Sequence, residues 1–387
     1  MTATQLQFRR GTAAQLATFA GAPGEVVVDT TNNRVVVCDG ATVGGFPAAK
    51  LSEVPALLSY QGSGFVNRFR NGTFDVAQRG TSGTVTTSGG YTVDGWIVVP
   101  TGASLSWQQG APGGTGGVLP PAGSNYFLYL SGAAGITDVV VKQRIEGSVA
   151  APLAGKQVTV QLAIYGGLAS PPTPTLTVRH ANAVDNWSGA TTDVSPVALQ
   201  GLTPNQWRIQ CYTFAAPSAA GNGLEISWDL GALTSNSVAI GQADIRATPG
   251  VATGLNAAPP LPELRPTGTE LLFCQRYYQK SYNYSTAPGS AVTVMTQGVF
   301  SPGSNASGQT FQSAYGPFKA TMRAVPTVTT YDNAGNSGKL SWSNGVTWTD
   351  NGTITGTFVG DGFVNAAGGP FTGLFQINFH YAATAEL

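Results

Sequence analysis

Apolar residues in this chain gather in runs of strand length, each closed by glycine, asparagine, aspartate or proline. Between residues 65 and 247 no helical repeat of useful length interrupts them. That punctuation restricts the chain to many short strands joined by tight turns. The clearest instance is GEVVVDTTNNRVVVCDG at 24–40, where two valine-rich runs flank Thr30-Thr31-Asn32-Asn33 and predict a β-hairpin. Composition points the same way. Glycine is abundant, at 51 residues, while only 10% of residues are charged, against about 25% in an ordinary globular protein. Hydrophobic residues at 42% and aromatics at 10% exclude a disordered chain. The expected fold class is all-β, and so uncharged a surface suggests extensive cover by partner subunits.

A length of 387 residues implies two or three domains. Residues 1–50 read as a small hairpin domain. In it Leu6, Phe8 and Arg10 alternate along a strand, and Thr12 caps a brief helix carrying Leu16 and Phe19. Residues 51–64 read as a linker. Residues 65–247 read as a jelly-roll β-sandwich, with strands expected at Tyr126–Leu130, Val139–Ile145, Gln157–Tyr165, Thr175–His180, Trp207–Phe214, Leu224–Leu230 and Val238–Arg246. A Pro/Gly-rich stretch, 248–268, reads as a second, semi-rigid linker. Residues 269–387 read as a C-terminal β-sandwich that opens with one short helix. Thr269 is its expected cap, and Leu271, Cys274 and Tyr278 share a face. Its strands are expected at Thr293–Phe300, Phe318–Arg323, Thr327–Tyr331, Lys339–Trp342, Thr353–Val359 and Gly373–Tyr381.

Several function classes are disfavoured. The 19 basic residues balance 19 acidic ones and form no basic run, so nucleic acid is not an expected partner. The longest apolar stretches are strand-sized, so no membrane insertion is expected. Residues 1–20 contain Arg9 and Arg10 but no apolar core, unlike a secretory signal, which implies synthesis in a cytoplasm. Cys38, Cys211 and Cys274 are isolated and odd in number, and read as buried reduced thiols.

Three stretches carry a resemblance. Arg10-Gly11-Thr12, Gly24-Glu25, Asp29-Thr30 and Val37-Cys38-Asp39-Gly40 follow the pattern of the N-terminal module found on many phage tail fibres. Asn71-Gly72-Thr73-Phe74, Gln78-Arg79-Gly80-Thr81 and Tyr91-Thr92-Val93-Asp94-Gly95-Trp96 resemble the opening of jelly-roll carbohydrate-binding modules, where Arg is commoner at the Gly95 position. Leu153 to Thr159 and Trp207-Arg208-Ile209 fit their central strands. LLFCQRYYQKSY at 271–282, Met322 to Thr327 and the terminal Tyr381–Leu387 resemble the C-terminal domain of phage tail fibres. The resemblance implies a virion protein assembled in a host cytoplasm. It would be a homotrimeric tail fibre or spike, joined to a virion attachment protein by its N-terminus and meeting a host polysaccharide or protein receptor. A structural head-fibre or decoration protein is the alternative, and a glycan-degrading enzyme a third reading.

Little in the chain suggests catalysis, and no enzyme is expected. His180 and His380 are the only histidines, and no G-x-S-x-G elbow occurs. Aspartates sit mostly beside Gly or Asn, where turn chemistry accounts for them. No cofactor is expected; the resemblance admits a Ca²⁺ at the jelly-roll edge, though no acidic run marks it. Binding chemistry is more legible. Sugar rings stack on aromatic faces while amides and carboxylates bond their hydroxyls. Trp107 with Gln109, and Trp187 with Asp185 and Asn186, lie in polar, turn-like contexts and are carbohydrate-binding candidates. Trp342, Asn344 and Trp348 around an expected hairpin, with Phe363 in the loop Asp361-Gly362-Phe363, are receptor-contact candidates. Trp96, Trp207 and Trp228 lie in strand-like runs and are assigned to the core. Tyr277 and Tyr278 are read as packing residues.

Overall fold

The computed structural model describes residues 8–48, 65–167, 171–235, 237–293, 297–305, 311–312, 316–367 and 373–387. The linker expected at 51–64 lies outside them. The chain forms two compact units, with residues 65–247 and 251–387 together in the second. It is all-β apart from short helices.

In the N-terminal unit, strands β1 (Arg9–Gly11), β2 (Val26–Asp29), β3 (Arg34–Val37) and β4 (Phe46–Pro47) form one sheet in that order. β1 and β2 are parallel, and the expected hairpin pairs Val26 with Val37 and Val28 with Val35. Thr12 is the expected cap of the helix Ala13–Leu16, in a capping box with Gln15. One sheet face buries Val27, Val36 and Cys38 against Leu16 and Phe19. The other carries Val26, Val28, Val35, Val37 and Phe46, with Phe8 falling on the row of Val26 and Arg10 at its edge. That face is largely uncovered: Phe8 is 52% exposed, Val35 43%, Val37 44% and Phe46 57%.

The second unit opens with a two-sheet sandwich. Its strands are β5 (Ser82–Val85), β6 (Gly90–Tyr91), β7 (Ile97–Thr101), β8 (Leu105–Gly110), β9 (Phe127–Ser131), β10 (Asp138–Ile145), β11 (Gln157–Gly166), β12 (Thr175–Ala183), β13 (Asn186–Ala198), β14 (Trp207–Ala215), β15 (Leu224–Asp229), β16 (Ser237–Ala247) and β17 (Gly254–Leu255). One sheet runs β13-β12-β15-β10-β7-β6 and the other β17-β14-β11-β16-β9-β8-β5. Alternating residues of both sheets fill the core, for example Val139 and Val141 against Val158, Val160 and Leu162. At one end Phe74 stacks on Trp96, with centroids 4.8 Å apart, and Trp228 closes the cluster. The segment of β5 to β8 and the long β13 were not expected as strands.

The C-terminal part is built on one long strand, β27 (Gly373–Thr384). The other strands there are β18 (Tyr278–Lys280), β19 (Val299–Asn305), β20 (Phe311–Gln312), β21 (Gly316–Pro317), β22 (Thr327–Tyr331), β23 (Lys339–Ser343), β24 (Trp348–Thr353), β25 (Thr355–Val359) and β26 (Gly362–Ala367). β27 pairs with β18 and β22 over one half and with β19 and β23 over the other. β20, β21 and β25 gather on β26 as a separate small sheet. The expected helix is shorter than read, at Thr267–Gln275 with Pro266 rather than Thr269 before it. Tyr278 leaves the helical face for β18 because β27 offers it a pairing edge. Phe318–Arg323, expected as a strand, forms bends after β21.

The sandwich and the C-terminal part are clamped together through residues that the sequence reading took for the sandwich opening. Asn71, in the left-handed region with φ 51°, holds its own loop through Val76 and Asp94. Its amide also donates to Glu270 of the C-terminal helix at 2.6 Å. Gly72 must be glycine because a Cβ there would lie 2.5 Å from the Ala243 carbonyl. Arg265 bonds Glu270 at 2.7 Å and the Asn67 carbonyl at 3.0 Å. Arg70 and Arg79 lie over the rings of Tyr277 and Tyr278, at 3.9 and 3.7 Å, and both grip Glu386 near the last residue. Arg276 and Tyr277 bond Glu146. The Pro/Gly-rich segment read as a spacer lies along the sandwich instead, for example through Glu263, which accepts from the amides of Val66 and Asn67.

Candidate binding surfaces

The strand period decides which expected aromatics reach solvent. On β8 the burial alternates, so Leu105, Trp107 and Gln109 point inward while Ser106 and Gln108 point out. Trp107 is only 7% exposed and joins the core, and the Gln109 amide donates to the Phe74 carbonyl at 2.7 Å. Neither is a surface ligand, which corrects that expectation. Trp187 is half-buried, and the Arg144 guanidinium covers a ring face at 4.9 Å. Asp185 is spent on the Gly147 amide at 2.7 Å and on Arg323 at 3.5 Å, while Asn186 folds back onto Ser188. These three residues therefore brace loops rather than form an open platform.

The hairpin at 342–348 forms as read, but its two tryptophans diverge. Trp342 pairs with Ile377 and packs on the C-terminal core. Trp348 pairs with Ser343 and so lies on the opposite face, half-exposed. Asn344 is exposed, and its carbonyl accepts from Val346 and Thr347, shaping the turn. Phe363 pairs with Phe358 between β26 and β25, and its side chain lies outside the described residues.

The sequence reading missed one surface. On β14 Tyr212 and Phe214 point toward the sandwich core, so Trp207 and Ile209, an odd number of residues away, point out of the seven-stranded sheet. This corrects the assignment of Trp207 to the core, while Trp96 and Trp228 are buried as expected. Trp207 meets Phe127 edge-on at 5.8 Å and Tyr165 at 5.6 Å, and its indole N–H donates to the Leu119 carbonyl at 2.9 Å. Gly110 leaves room for the Phe127 ring, which a Cβ there would meet at 2.2 Å. Beside Trp207 a cavity of about 470 Å³ is floored by Ala163, Ile209 and Gln242 and walled by Pro121, Leu261 and Leu264. Gln242, with φ 48° at the β16 bulge, donates to the Ala122 carbonyl at 2.6 Å. Only the parity of Trp207 against Phe214 could have revealed this pocket. The more polar half of the same sheet face is bonded to the chain's own segment 256–263: Gln161 donates to Pro260, and Glu263 to Asp244.

Titratable groups away from these surfaces have local explanations. Asp138 and Asp229 share a hydrogen bond at one sandwich end; burial first, and then that neighbour, push the Asp138 carboxyl up to about 6. Direct contact is closer than the separation of about 5 Å or more used by glycosidase acid pairs. His180 bonds Asp193 at 2.8 Å. His380 is buried and stacked on Tyr282 at 4.2 Å, and burial holds it down at about 4. Cys38, Cys211 and Cys274 are buried and unpaired. Among the described residues no three His, Cys, Asp or Glu side chains converge as a metal site would require.

Comparison with known proteins places the N-terminal unit. Residues 6–42 match the family described as the major tropism determinant N-terminal domain. A stretch of 47 residues is 64% identical to the tail fiber receptor-binding protein of Bordetella phage BPP-1, covering 12% of each chain. The chain thus matches about an eighth of that relative's length. Among solved structures, the enzymatically active domain of tailspike protein 4 of bacteriophage CBA120 aligns at TM-score 0.32 and 14% identity, over 47% of this chain and 21% of that one. A family 22 carbohydrate-binding module of Clostridium thermocellum Xyn10B aligns at TM-score 0.29 and 14% identity, over 46% and 99%. The N-terminal unit, over residues 6–42, is thus similar to the N-terminal domain of the major tropism determinant.

Proposed function

We propose that this chain is a receptor-binding fibre or spike protein of a bacteriophage particle, acting by adhesion rather than catalysis. The observation that carries this reading is the 64% identity of its N-terminal unit to a tail fiber receptor-binding protein. In this reading the N-terminal unit joins the chain to the virion and to two further copies. Its uncovered face of Phe8, Val26, Val28, Val35, Val37 and Phe46 supports self-association, since so small a core cannot hold such a sheet alone. The second unit contacts a host-surface glycan. Repetition of one weak site over three chains supplies avidity without a tight single site.

Two measurements test it. Light scattering of the full chain should give three chain masses of 39.7 kDa, where a clean monomer would remove the avidity argument. Labelled protein should adsorb saturably to host cells. Release of new reducing ends from host polysaccharide would instead establish the enzymatic reading.

A further inference from the structure

The C-terminal sheet has a second face whose chemistry differs from its core face. On β27, Phe375, Ile377, Phe379 and Tyr381 enter the core, so Leu374, Gln376, Asn378 and His380 point the other way. Strand register extends that face across four strands, β19-β27-β23-β24. One row reads Phe300, Asn378, Ser341, and the next reads Pro302, Gln376, Ser343, Trp348. The first row is roofed in its middle. Asn333 donates its amide to Ser341 Oγ at 2.8 Å, and Ser341 and Asn378 are fully buried. The second row is open except at Ser343, which is buried. Pro302 is exposed, Gln376 and Trp348 are half-exposed, and Leu374 beyond them is 81% exposed. Phe300, at the far side, is 40% exposed.

We propose that this face is a trough for a neutral oligosaccharide, a site that rests on the receptor-binding reading above. Trp348 offers its ring to the C–H face of a pyranose, and Phe300 offers a second apolar contact. β19 and β24 are three strand spacings apart, roughly 14 Å, which suits a short run of linked sugar rings lying across the strands. Between the aromatics sit groups that bond hydroxyls. The Gln376 amide both donates and accepts. Ser343, buried beneath the row, accepts from the Gly345 amide at 3.1 Å and holds the turn that carries Trp348. Asp350, which accepts from Ser341, presents a carboxylate to sugar hydroxyls. Charge selects the ligand class. Among the described residues Asp350 is the charged group presented at the trough, and the nearest cation along β23, Lys339, is four residues from Ser343, about 13 Å. A uronic acid, sialic acid or phosphate would meet a carboxylate with no counter-charge, whereas a neutral sugar meets only donors, acceptors and rings.

The test uses the full chain and saturation-transfer NMR with neutral trisaccharides (gluco-, galacto- and manno-configured) against glucuronic and N-acetylneuraminic acids. At least one neutral trisaccharide should receive saturation. Trp348→Ala should weaken it about tenfold, the upper part of the range for one aromatic contact. Gln376→Ala should weaken it severalfold, and Trp348→Phe should restore most of the signal, separating a lost ring from a misfolded hairpin. Unchanged binding in Trp348→Ala and Gln376→Ala, with loss in Trp207→Ala, would move the sugar to the sandwich pocket and overturn the trough. A protein that adsorbs to host cells yet takes only acidic sugars, or none, would overturn the trough while leaving the receptor-binding reading intact. A protein that takes no sugar and adsorbs to no host cell would overturn both.

Discussion

Among the described residues, the open faces of the N-terminal and C-terminal sheets carry side chains that differ in kind. The N-terminal face is a continuous field of valine and phenylalanine with one arginine at its edge. The C-terminal face interrupts its aromatics with the half-exposed Gln376 and Asp350. Continuous apolar surface gains most from another apolar surface, because a hydroxylated ligand would leave it half-wetted. A mixed surface gains little from a protein core but can satisfy a sugar's ring face and its hydroxyls together. The contrast teaches that an open sheet face indicates its partner by the spacing of polar groups within it, beyond its total exposure.

The largest expected effect breaks the first half of that contrast. Replacing Val35 and Val37 together by Asp places two charges in the middle of the apolar face without touching Val27 or Val36 beneath. The mass by light scattering should fall from three chains to one. The affinity of a single sugar site should stay unchanged, while adsorption to cells should fall by about two orders of magnitude as avidity is lost. A trimer that survives this change assembles elsewhere.

Parts of this picture were readable in the sequence, and the limits have physical causes. The N-terminal hairpin was legible because its turn is a run of Thr and Asn, with Asn33 taking the left-handed conformation such turns need. The Thr12 cap was legible for the same local reason. Ser82–Val85 and Asn186–Ala198 were not, since their strands are rich in Ser, Gly, Thr and Asn and gain their order from neighbours. The sugar-site candidates fared worst. A tryptophan between glutamines looks exposed until the phase of Leu105 puts Trp107 inside, and Trp207 looks buried until the phase of Phe214 puts it outside. Phase is fixed by which face meets the other sheet, and that is a long-range fact. The cross-module clamp was equally hidden, because Arg70 and Glu386 are 316 residues apart.

That clamp supplies the second test, since a sugar trough needs a rigid support. Glu386→Gln leaves Arg70 and Arg79 short of their shared acid in a largely buried site. It should destabilise the second unit by about 3 kcal/mol. Calorimetry should show the sandwich and C-terminal part melting together in the wild type. A midpoint unmoved by Glu386→Gln would mean the clamp carries no load, and the trough would then sit on a loosely held support.

A smaller effect sharpens the contrast within the C-terminal sheet. Trp342→Phe, on the core face, should cost stability of about 1 kcal/mol and leave sugar affinity alone. Trp348→Ala should do the reverse. Equal losses of affinity from both would mean that the face distinction drawn from strand register is wrong.

The smallest effect is in pH. His380 is held down at about 4 against 6.5 when unfolded. Its contribution is complete above 6.5 and is lost as pH falls toward 4, where the unfolded chain binds the extra proton. Asp138 is pushed up to about 6 from 3.8. Its contribution is complete below 3.8 and is lost as pH rises toward 6. These two slopes oppose each other between about 4 and 6. Asp138→Asn should expose the His380 slope as a midpoint that falls steadily on acidification. A variant whose profile matches that of the wild type would show that Asp138 is not held protonated in the folded chain.

The most direct test of glycan adhesion is adsorption of the labelled 387-residue chain to host cells before and after mild periodate oxidation of their surface sugars. Binding should be saturable, abolished by periodate, and weakened by Trp348→Ala on untreated cells. Binding that survives periodate but is lost after protease treatment of the cells, with Trp348→Ala indistinguishable from wild type, would contradict it.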